Sequence, residues 1–332
     1  MAAPSLLIGL PRGVSTGYTL PMTAPPAFAS NQEFGSRLGD AGFWWPHISV
    51  VLERHGLTDA EGEPVAGFNP TYPTFLYGDV VVKLFGYSRW WRESHGSERA
   101  ALALVATDPG IRAPRLVGEG RLYEDAEESW PYLITTRISG VPWRHAELST
   151  EQRFWVAGEL GRQVRRLHRL YPAGEVTHGD WSAGDEAAAP EGGSLPPHLV
   201  AQIDDYLVRL GPLDRVFVHG DLTADHAFVE EGSLAGIIDW GDAMVTDRHY
   251  ELGKLYFEMF QCNKELLRVF LDGSDWPVGR DFPRQALGLA LYRQAVGLAQ
   301  HRTFDVFEPV GDLLPLQDIS TIDELATELF GV

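Results

Sequence analysis

Two aspartates at the ends of two short apolar runs constrain this chain more than any other feature. Residues 216–218 lead into Val218-His219-Gly220-Asp221-Leu222, and residues 236–238 lead into Ile238-Asp239-Trp240-Gly241-Asp242. Between them, residues 227–229 and 234–238 flank Glu230, Glu231, Gly232 and Ser233, a pattern that predicts a β-hairpin around a glycine-containing turn. Such a hairpin brings Asp239 beside the segment that follows Asp221. Two carboxylates so placed meet the needs of phosphoryl transfer, one accepting a hydroxyl proton and the other holding Mg²⁺ on nucleotide phosphates. Either motif alone reads as a turn or a capped strand end, but the pair around one hairpin does not. A second chemistry can be drawn from the same region, a two-metal hydrolase built from His219, Asp221, His226, Asp239 and His249. It leaves Lys83 without a role.

The two motifs resemble those of the aminoglycoside phosphotransferases, relatives of the protein kinases whose catalytic loop reads His-Gly-Asp and whose metal loop reads Ile-Asp-Phe or Ile-Asp-Trp. The resemblance implies an α+β, protein-kinase-like bilobal fold, with a small β-rich N-lobe and a larger, mainly helical C-lobe. It implies Asp221 as catalytic base, His219 as support for its loop and Asp239 as ligand of Mg²⁺. The family usually carries Asn five positions after the base as a second metal ligand. Here that position is His226, as in the macrolide phosphotransferases, and imidazole suits Mg²⁺ less well than an amide oxygen does. Longer stretches, among them VVVKLFG, PRLVGEG, WPYLITTRISGVPWR, ELGRQVRRLHRL and LLRVFLDGSDW, resemble the hygromycin B 7''-phosphotransferase branch of the family. They imply transfer from ATP or GTP to a hydroxyl of an aminoglycoside antibiotic, hygromycin B first, with resistance as the result.

Lys83 lies within Val-Val-Val-Lys-Leu-Phe, between apolar neighbours, and a lysine buried there needs an anionic partner. The resemblance implies that it holds the nonreacting phosphates and is positioned by Glu98, near the start of a helix predicted to run to about Ala106. No Gly-x-Gly-x-x-Gly precedes Lys83, so Asn69, Thr71 and Tyr72 are the candidate phosphate donors of the preceding loop. By the same resemblance, the backbone of Thr136 and Ile138 meets the nucleotide base. Strands are expected over 112–119 and 130–138, and an amphipathic helix over 150–170 with Phe154, Leu160, Val164 and Leu167 on one stripe.

Three parts follow: a loosely packed leader over 1–35, with Met22 as an alternative start, a nucleotide-binding N-lobe over 36–135, and a catalytic and substrate-binding C-lobe over 136–332. Residues 174–197 read as a surface insert whose Asp180, Asp185 and Glu186 either border the substrate mouth or are solvated loop charge. Beyond Asp242 the chain reads as helical throughout. Asp247 and Glu251 either brace the active-site loops or, in the case of Glu251 with Asp242 and Glu258, receive substrate ammonium groups.

Charge bears on the partner. A formal net charge of -19 argues against nucleic acid and favours a cationic small molecule. The single cysteine, Cys262, excludes an intrachain disulfide and suits a reducing compartment. With no basic n-region before the first apolar patch and no run long enough to span a bilayer, the expectation is a cytoplasmic enzyme that does not engage membranes, monomeric or weakly dimeric.

Overall fold

Lys83 owes its place to a period-two strand. In Val80–Leu84 the side chains of Val82 and Leu84 are fully buried on one face, which turns Lys83 to the other. The computed structural model describes residues 24–58, 62–68, 70–170, 176, 193–211, 214–299 and 305–332. Its first elements are the helices α1 (Asn31–Arg37) and α2 (Ala41–Arg54). Five strands follow, β1 (Val65–Ala66), β2 (Thr74–Tyr77), β3 (Val80–Leu84), β4 (Leu116–Leu122) and β5 (Trp130–Thr136), with helix α3 (Trp91–Val105) between β3 and β4. They form one antiparallel sheet in the order β1-β2-β3-β5-β4, which sets Lys83 opposite Leu133.

One face of this sheet packs on α2, whose Trp44, Ile48, Val51 and Leu52 repeat at helical spacing and are buried with Phe75, Val82, Leu84 and Ile134. The Asp40 side chain caps α2 by accepting from Phe43 N–H at 3.0 Å. The leader expected over 1–35 is corrected in its last part. Ser30 caps α1, and the buried ring of Phe34 lies 4.8 Å from Tyr87 and 5.1 Å from Phe28, so this segment closes the end of the lobe. Residues 1–23 lie outside the described residues.

The strand expected from residue 112 begins instead at Leu116. Arg112 N–H donates to Gln163 Oε1 at 2.8 Å and its carbonyl accepts from Ile237 N–H at 2.8 Å, so Arg112 is tied to the second lobe, while Arg115 bonds Thr136 at the end of β5. That lobe starts with β6 (Val141–Pro142) and α4 (Thr150–Leu167), opened by a capping box between Ser149 and Gln152. Two short helices, α5 (Pro197–Val200) and α6 (Ile203–Val208), precede the catalytic strand. The acids of the 174–197 insert lie outside the described residues.

The strands β7 (Val216–Val218), β8 (Ala227–Glu230) and β9 (Ser233–Ile237) carry the two motifs. β8 and β9 form the expected hairpin, with Ala227 opposite Ile237 and a turn in which Glu231 and Gly232 both have positive φ, +49° and +76°. β7 pairs with β10 (Met244–Thr246), a strand where a helix was expected, because the β-branched Val245 and Thr246 are buried against Phe217 and Val216.

The helical reading beyond Asp242 is met next by three pieces, a 3₁₀ turn (Arg248–Glu251), α7 (Leu252–Lys254) and a π-turn (Leu255–Met259) closed by Phe260 N–H donating to Leu255 O at 2.9 Å. Four further helices complete the lobe, α8 (Lys264–Ser274), α9 (Phe282–Ala299), α10 (Glu308–Leu313) and α11 (Ile322–Phe330). α4 and α8 cross closely where glycines face each other. A Cβ at Gly161 would lie 2.3 Å from Phe270 O, and one at Gly273 2.5 Å from Gly158 O. Among the described residues no helix is long and apolar enough to cross a membrane.

Candidate active site

Lys83 joins the two lobes. Its Nζ lies 2.7 Å from Glu98 Oε2 on α3 and 2.9 Å from Asp239 Oδ1, which follows β9. Burial works against its charge, but the carboxylates of Asp239 and Glu98 outweigh it and hold the ammonium well above the ordinary lysine range. Asp239 answers in kind: burial would raise its carboxyl, yet Lys83 and His226 bring it down to about 2. The Asp239 side chain keeps 40% exposure, toward the cleft, and its φ of +61° is uncommon for a residue with a side chain. The residues read from sequence as a phosphate lysine, its glutamate and a metal aspartate thus meet at one point.

Asp221 sits on the opposite wall. Its loop turns at Gly220, where φ is +80° and a Cβ would lie 2.1 Å from Asp242 O. Gly220→Ala is therefore expected to destabilise the protein by about 3 kcal/mol and to displace Asp221, which a denaturant melt reads directly. His219 is fully buried beneath the loop. Its Nε2 meets Ile238 O at 2.9 Å and its Nδ1 meets Asp221 N–H at 3.2 Å, so the tautomer protonated on Nε2 satisfies both. Burial pushes its pKa down to about 4, and a neutral ring tying Asp239's loop to Asp221's loop is the result. It has no nitrogen left for a metal.

Glu251 is 1% exposed and accepts from His219 N–H at 2.7 Å and Gly220 N–H at 3.5 Å. Of the two roles expected for it, this is the brace; an ammonium group has no access. Asp247 braces likewise, accepting from Asp214 N–H at 2.7 Å and from the His249 ring at 2.7 Å. Burial raises Glu251 to about 7 against the pull of those backbone donors. A raised folded-state carboxyl means the native protein binds the proton that the unfolded chain has released, so stability falls as pH rises from the ordinary glutamate range to about 7. Glu251→Gln removes that slope. Its melting temperature should gain on the wild type between about pH 5 and about pH 8, by the equivalent of ~3 kcal/mol at most.

His226 stands between the two aspartates. Its Nδ1 donates to Asp221 O at 2.7 Å, and its Nε2 lies 3.6 Å from Asp239 Oδ2. Burial disfavours its proton, but Asp239 and Asp221 together raise its pKa. A neutral imidazole so placed aims a lone pair at a carboxylate, which is favourable only with a proton or a cation between them. The pair fits a metal ion whose remaining ligands are phosphate and water oxygens, the usual way Mg²⁺ is bound at nucleotides. The two-metal hydrolase arrangement is corrected: among the described residues no three His, Cys, Asp or Glu side chains form a metal-holding group.

Two adjoining cavities meet at Lys83, His226 and Asp239. One, of about 290 Å³, is a mainly apolar slot lined by Ala66, Val81, Leu102, Leu133 and Ile238, with Thr136 and Ile138 of the connector among its walls. Thr71 borders both cavities, Tyr72 the second, and Asn69 lies outside the described residues. The second cavity, of about 580 Å³, is lined by Asp221, Asp225, Asp239, Asp242 and Glu258 against Lys83, Arg144 and Lys254. Arg144 pairs with Asp225 at 2.6 Å and with Glu258 at 2.5 Å.

Sequence reasoning missed three cations here, Arg144, Lys254 and Arg293. Arg293 Nη2 donates to Asp221 Oδ1 at 2.7 Å, and Lys254 Nζ lies 3.0 Å from the same oxygen. Burial would raise the carboxyl of Asp221, but Lys254 and Arg293 hold it well below the usual range. The signal for Arg293 was a lone arginine in the apolar run Ala-Leu-Gly-Leu-Ala-Leu-Tyr-Arg.

Comparison with known proteins agrees with this geometry. Residues 73–282, more than half of the chain, match the model of the phosphotransferase enzyme family. Over 186 residues the sequence is 31% identical to an aminoglycoside 3'-phosphotransferase of Escherichia coli, a match that takes in 49% of this chain and 66% of that relative, just under two thirds of its length. The GDP complex of an aminoglycoside 2'-phosphotransferase superposes with a TM-score of 0.62 at 18% identity, covering 86% of this chain and 98% of that one. A macrolide 2'-phosphotransferase from Brachybacterium faecium does so with a TM-score of 0.56 at 19% identity, over 81% and 98%. These structures share the fold, protein-kinase-like, with a β-sheet N-lobe and a helical C-lobe. With a lysine, a glutamate and two loop aspartates converging on one interlobe cleft, and with the family model matched across those motifs, the chain belongs to the phosphotransferase enzyme family.

Proposed function

We propose that this phosphotransferase moves the γ-phosphoryl group of ATP or GTP to a hydroxyl of an aminoglycoside antibiotic. The observation that carries the acceptor class is the larger cavity, where Asp221 shares its walls with Asp225, Asp239, Asp242 and Glu258. Five carboxylates against three cations make a wall suited to a polyamine, and its polar lining disfavours a macrolide, whose broad apolar face would leave those charges without water. Hygromycin B is the first candidate within the class, on the likeness of the sequence stretches 80–86, 114–120, 130–144, 159–170 and 266–276 to its phosphotransferases.

In this reading the nucleotide base lies in the apolar slot against the backbone of Thr136 and Ile138, and Lys83, steadied by Glu98, holds the nonreacting phosphates. Asp239 and His226 are the residues that would hold Mg²⁺, which supplies neutralising charge to those phosphates when bound. Asp221 accepts a hydrogen bond from the acceptor hydroxyl, turns its oxygen toward the γ-phosphorus for in-line attack and takes its proton as the new O–P bond forms and the bond to the β–γ bridging oxygen breaks, the nucleoside diphosphate leaving with that oxygen. A dianionic group added to a cationic antibiotic weakens its attraction to ribosomal RNA, and resistance follows. The reaction belongs in the cytoplasm, where nucleoside triphosphates and ribosomes are.

The test is nucleoside diphosphate release with ATP and with GTP across hygromycin B, kanamycin-type aminoglycosides and macrolides. Turnover on aminoglycosides is the expected result, and turnover on hygromycin B above the rest supports the finer assignment. Turnover confined to macrolides would sink the acceptor class, and nucleotide binding without turnover on any acceptor would leave a binding scaffold.

A further inference from the structure

The two carboxylate oxygens of Asp221 are treated differently. Oδ1 is held by two cations from two helices, Arg293 Nη2 of α9 at 2.7 Å and Lys254 Nζ of α7 at 3.0 Å. Arg293 also donates from Nη1 to the carbonyl of Gly220, so one planar guanidinium grips the backbone and the side chain of the loop together. Oδ2 faces His226 Nδ1 at 3.6 Å, on the side of the larger cavity.

Arg293 is costly where it stands. Its side chain is 4% exposed, its Nε is buried without a hydrogen-bond partner among the described residues, and its guanidinium lies 4.9 Å over the Tyr250 ring. A buried charge with an unmet donor destabilises a fold relative to an apolar side chain of similar volume. The helix around it, with Leu291, Tyr292 and Ala295 buried, would pack well with Leu or Met at position 293. The arginine is therefore explained by what it does to Asp221.

We propose that Arg293 and Lys254 are positioning residues that lock Asp221 in one orientation, occupying Oδ1 so that Oδ2 alone is presented to the acceptor hydroxyl. This rests on the reading of Asp221 as the group that orients the acceptor. A carboxylate free to rotate would meet the hydroxyl with either oxygen and from several angles, and a misplacement of about 1 Å at a reacting group costs ~100-fold in rate. Neither cation is needed to bind the nucleotide, which Lys83 and the apolar slot receive. The effect of losing them belongs in kcat.

The experiment compares wild type, Arg293→Gln, Arg293→Lys and Lys254→Met in kcat and in KM for nucleotide, with an aminoglycoside and, separately, with water as the nucleophile. Expected is a fall in kcat of about 100-fold for Arg293→Gln and about 10-fold for Lys254→Met, with nucleotide KM within about 3-fold of wild type. Arg293→Lys should recover part of the loss, since it keeps the charge and gives up the two-point grip. Wild-type kcat in both Arg293→Gln and Lys254→Met would overturn the proposal, as would a loss accompanied by an equal rise in nucleotide KM, the mark of general loosening. If Arg293→Gln does not fold, Lys254→Met and Arg293→Lys carry the same comparison. Hydrolysis with water keeps the two claims apart. Wild-type hydrolysis that the variants slow, with no antibiotic turned over, would sink the acceptor class and leave the lock standing; antibiotic turnover undiminished in the variants would sink the lock alone.

Discussion

Asp221→Asn is expected to lower kcat for phosphoryl transfer by about 10³-fold while leaving nucleotide affinity nearly unchanged. The substitution keeps the shape of the side chain and removes its capacity to take a proton. The amide oxygen can still face Arg293 and Lys254, so the loop should stay where Gly220 and His219 hold it. The nucleotide does not depend on Asp221, because the apolar slot and Lys83 lie on the other side of Asp239. Isothermal titration with a nonhydrolysable nucleotide, set beside steady-state rates, separates the two quantities. The same change at Asp225, which pairs with Arg144 and not with the two cations that hold Asp221, should cost far less in kcat.

Lys83→Ala is expected to act on both quantities at once. Lys83 is the only side chain that bridges Glu98 to Asp239, at 2.7 Å and 2.9 Å, among the hydrogen bonds of the described residues. Without it, the buried Glu98 and the half-buried Asp239 face each other as two carboxylates, and mutual repulsion raises the pKa of one or both. A protonated Asp239 is a poor metal ligand and an unpaired Glu98, 9% exposed, carries a desolvation penalty. Nucleotide affinity should fall by about 100-fold, kcat by at least as much, and stability by about 3 kcal/mol. Lys83→Met, which restores the packing of the stem but not the charge, should regain part of the stability and none of the activity.

How much of this was legible in the sequence follows from distance along the chain. Asp221, Asp239 and His226 lie on one hairpin and its flanks, so local patterning was enough to bring them together. Lys83 and Glu98 were legible for a different reason, a lysine in an apolar strand followed by a helix with a single well-placed acid. Arg293 and Lys254 reach Asp221 from helices that follow it, and nothing in local periodicity says which turn of a helix will face a loop made earlier. β10 was missed because three residues carry too little pattern to outweigh the helical segments after them, and the pairing that makes it a strand is with β7, about thirty residues away. The π-turn at Leu255–Met259 was invisible for a related reason: one extra residue in a helix shifts the face without changing its composition, and it is this segment that brings Glu258 to the cavity wall beside Lys254.

The most direct test of the central claim is product analysis. The protein is incubated with Mg²⁺, ATP or GTP labelled in the γ-phosphoryl group, and hygromycin B or a kanamycin-type aminoglycoside, and the antibiotic is recovered and examined by mass spectrometry and phosphorus NMR. The account predicts antibiotic carrying one phosphoryl group, derived from the γ-position and esterified to a single hydroxyl, with Asp221→Asn yielding none above background. Labelled inorganic phosphate with unmodified antibiotic throughout, or equal labelling by wild type and Asp221→Asn, would contradict it.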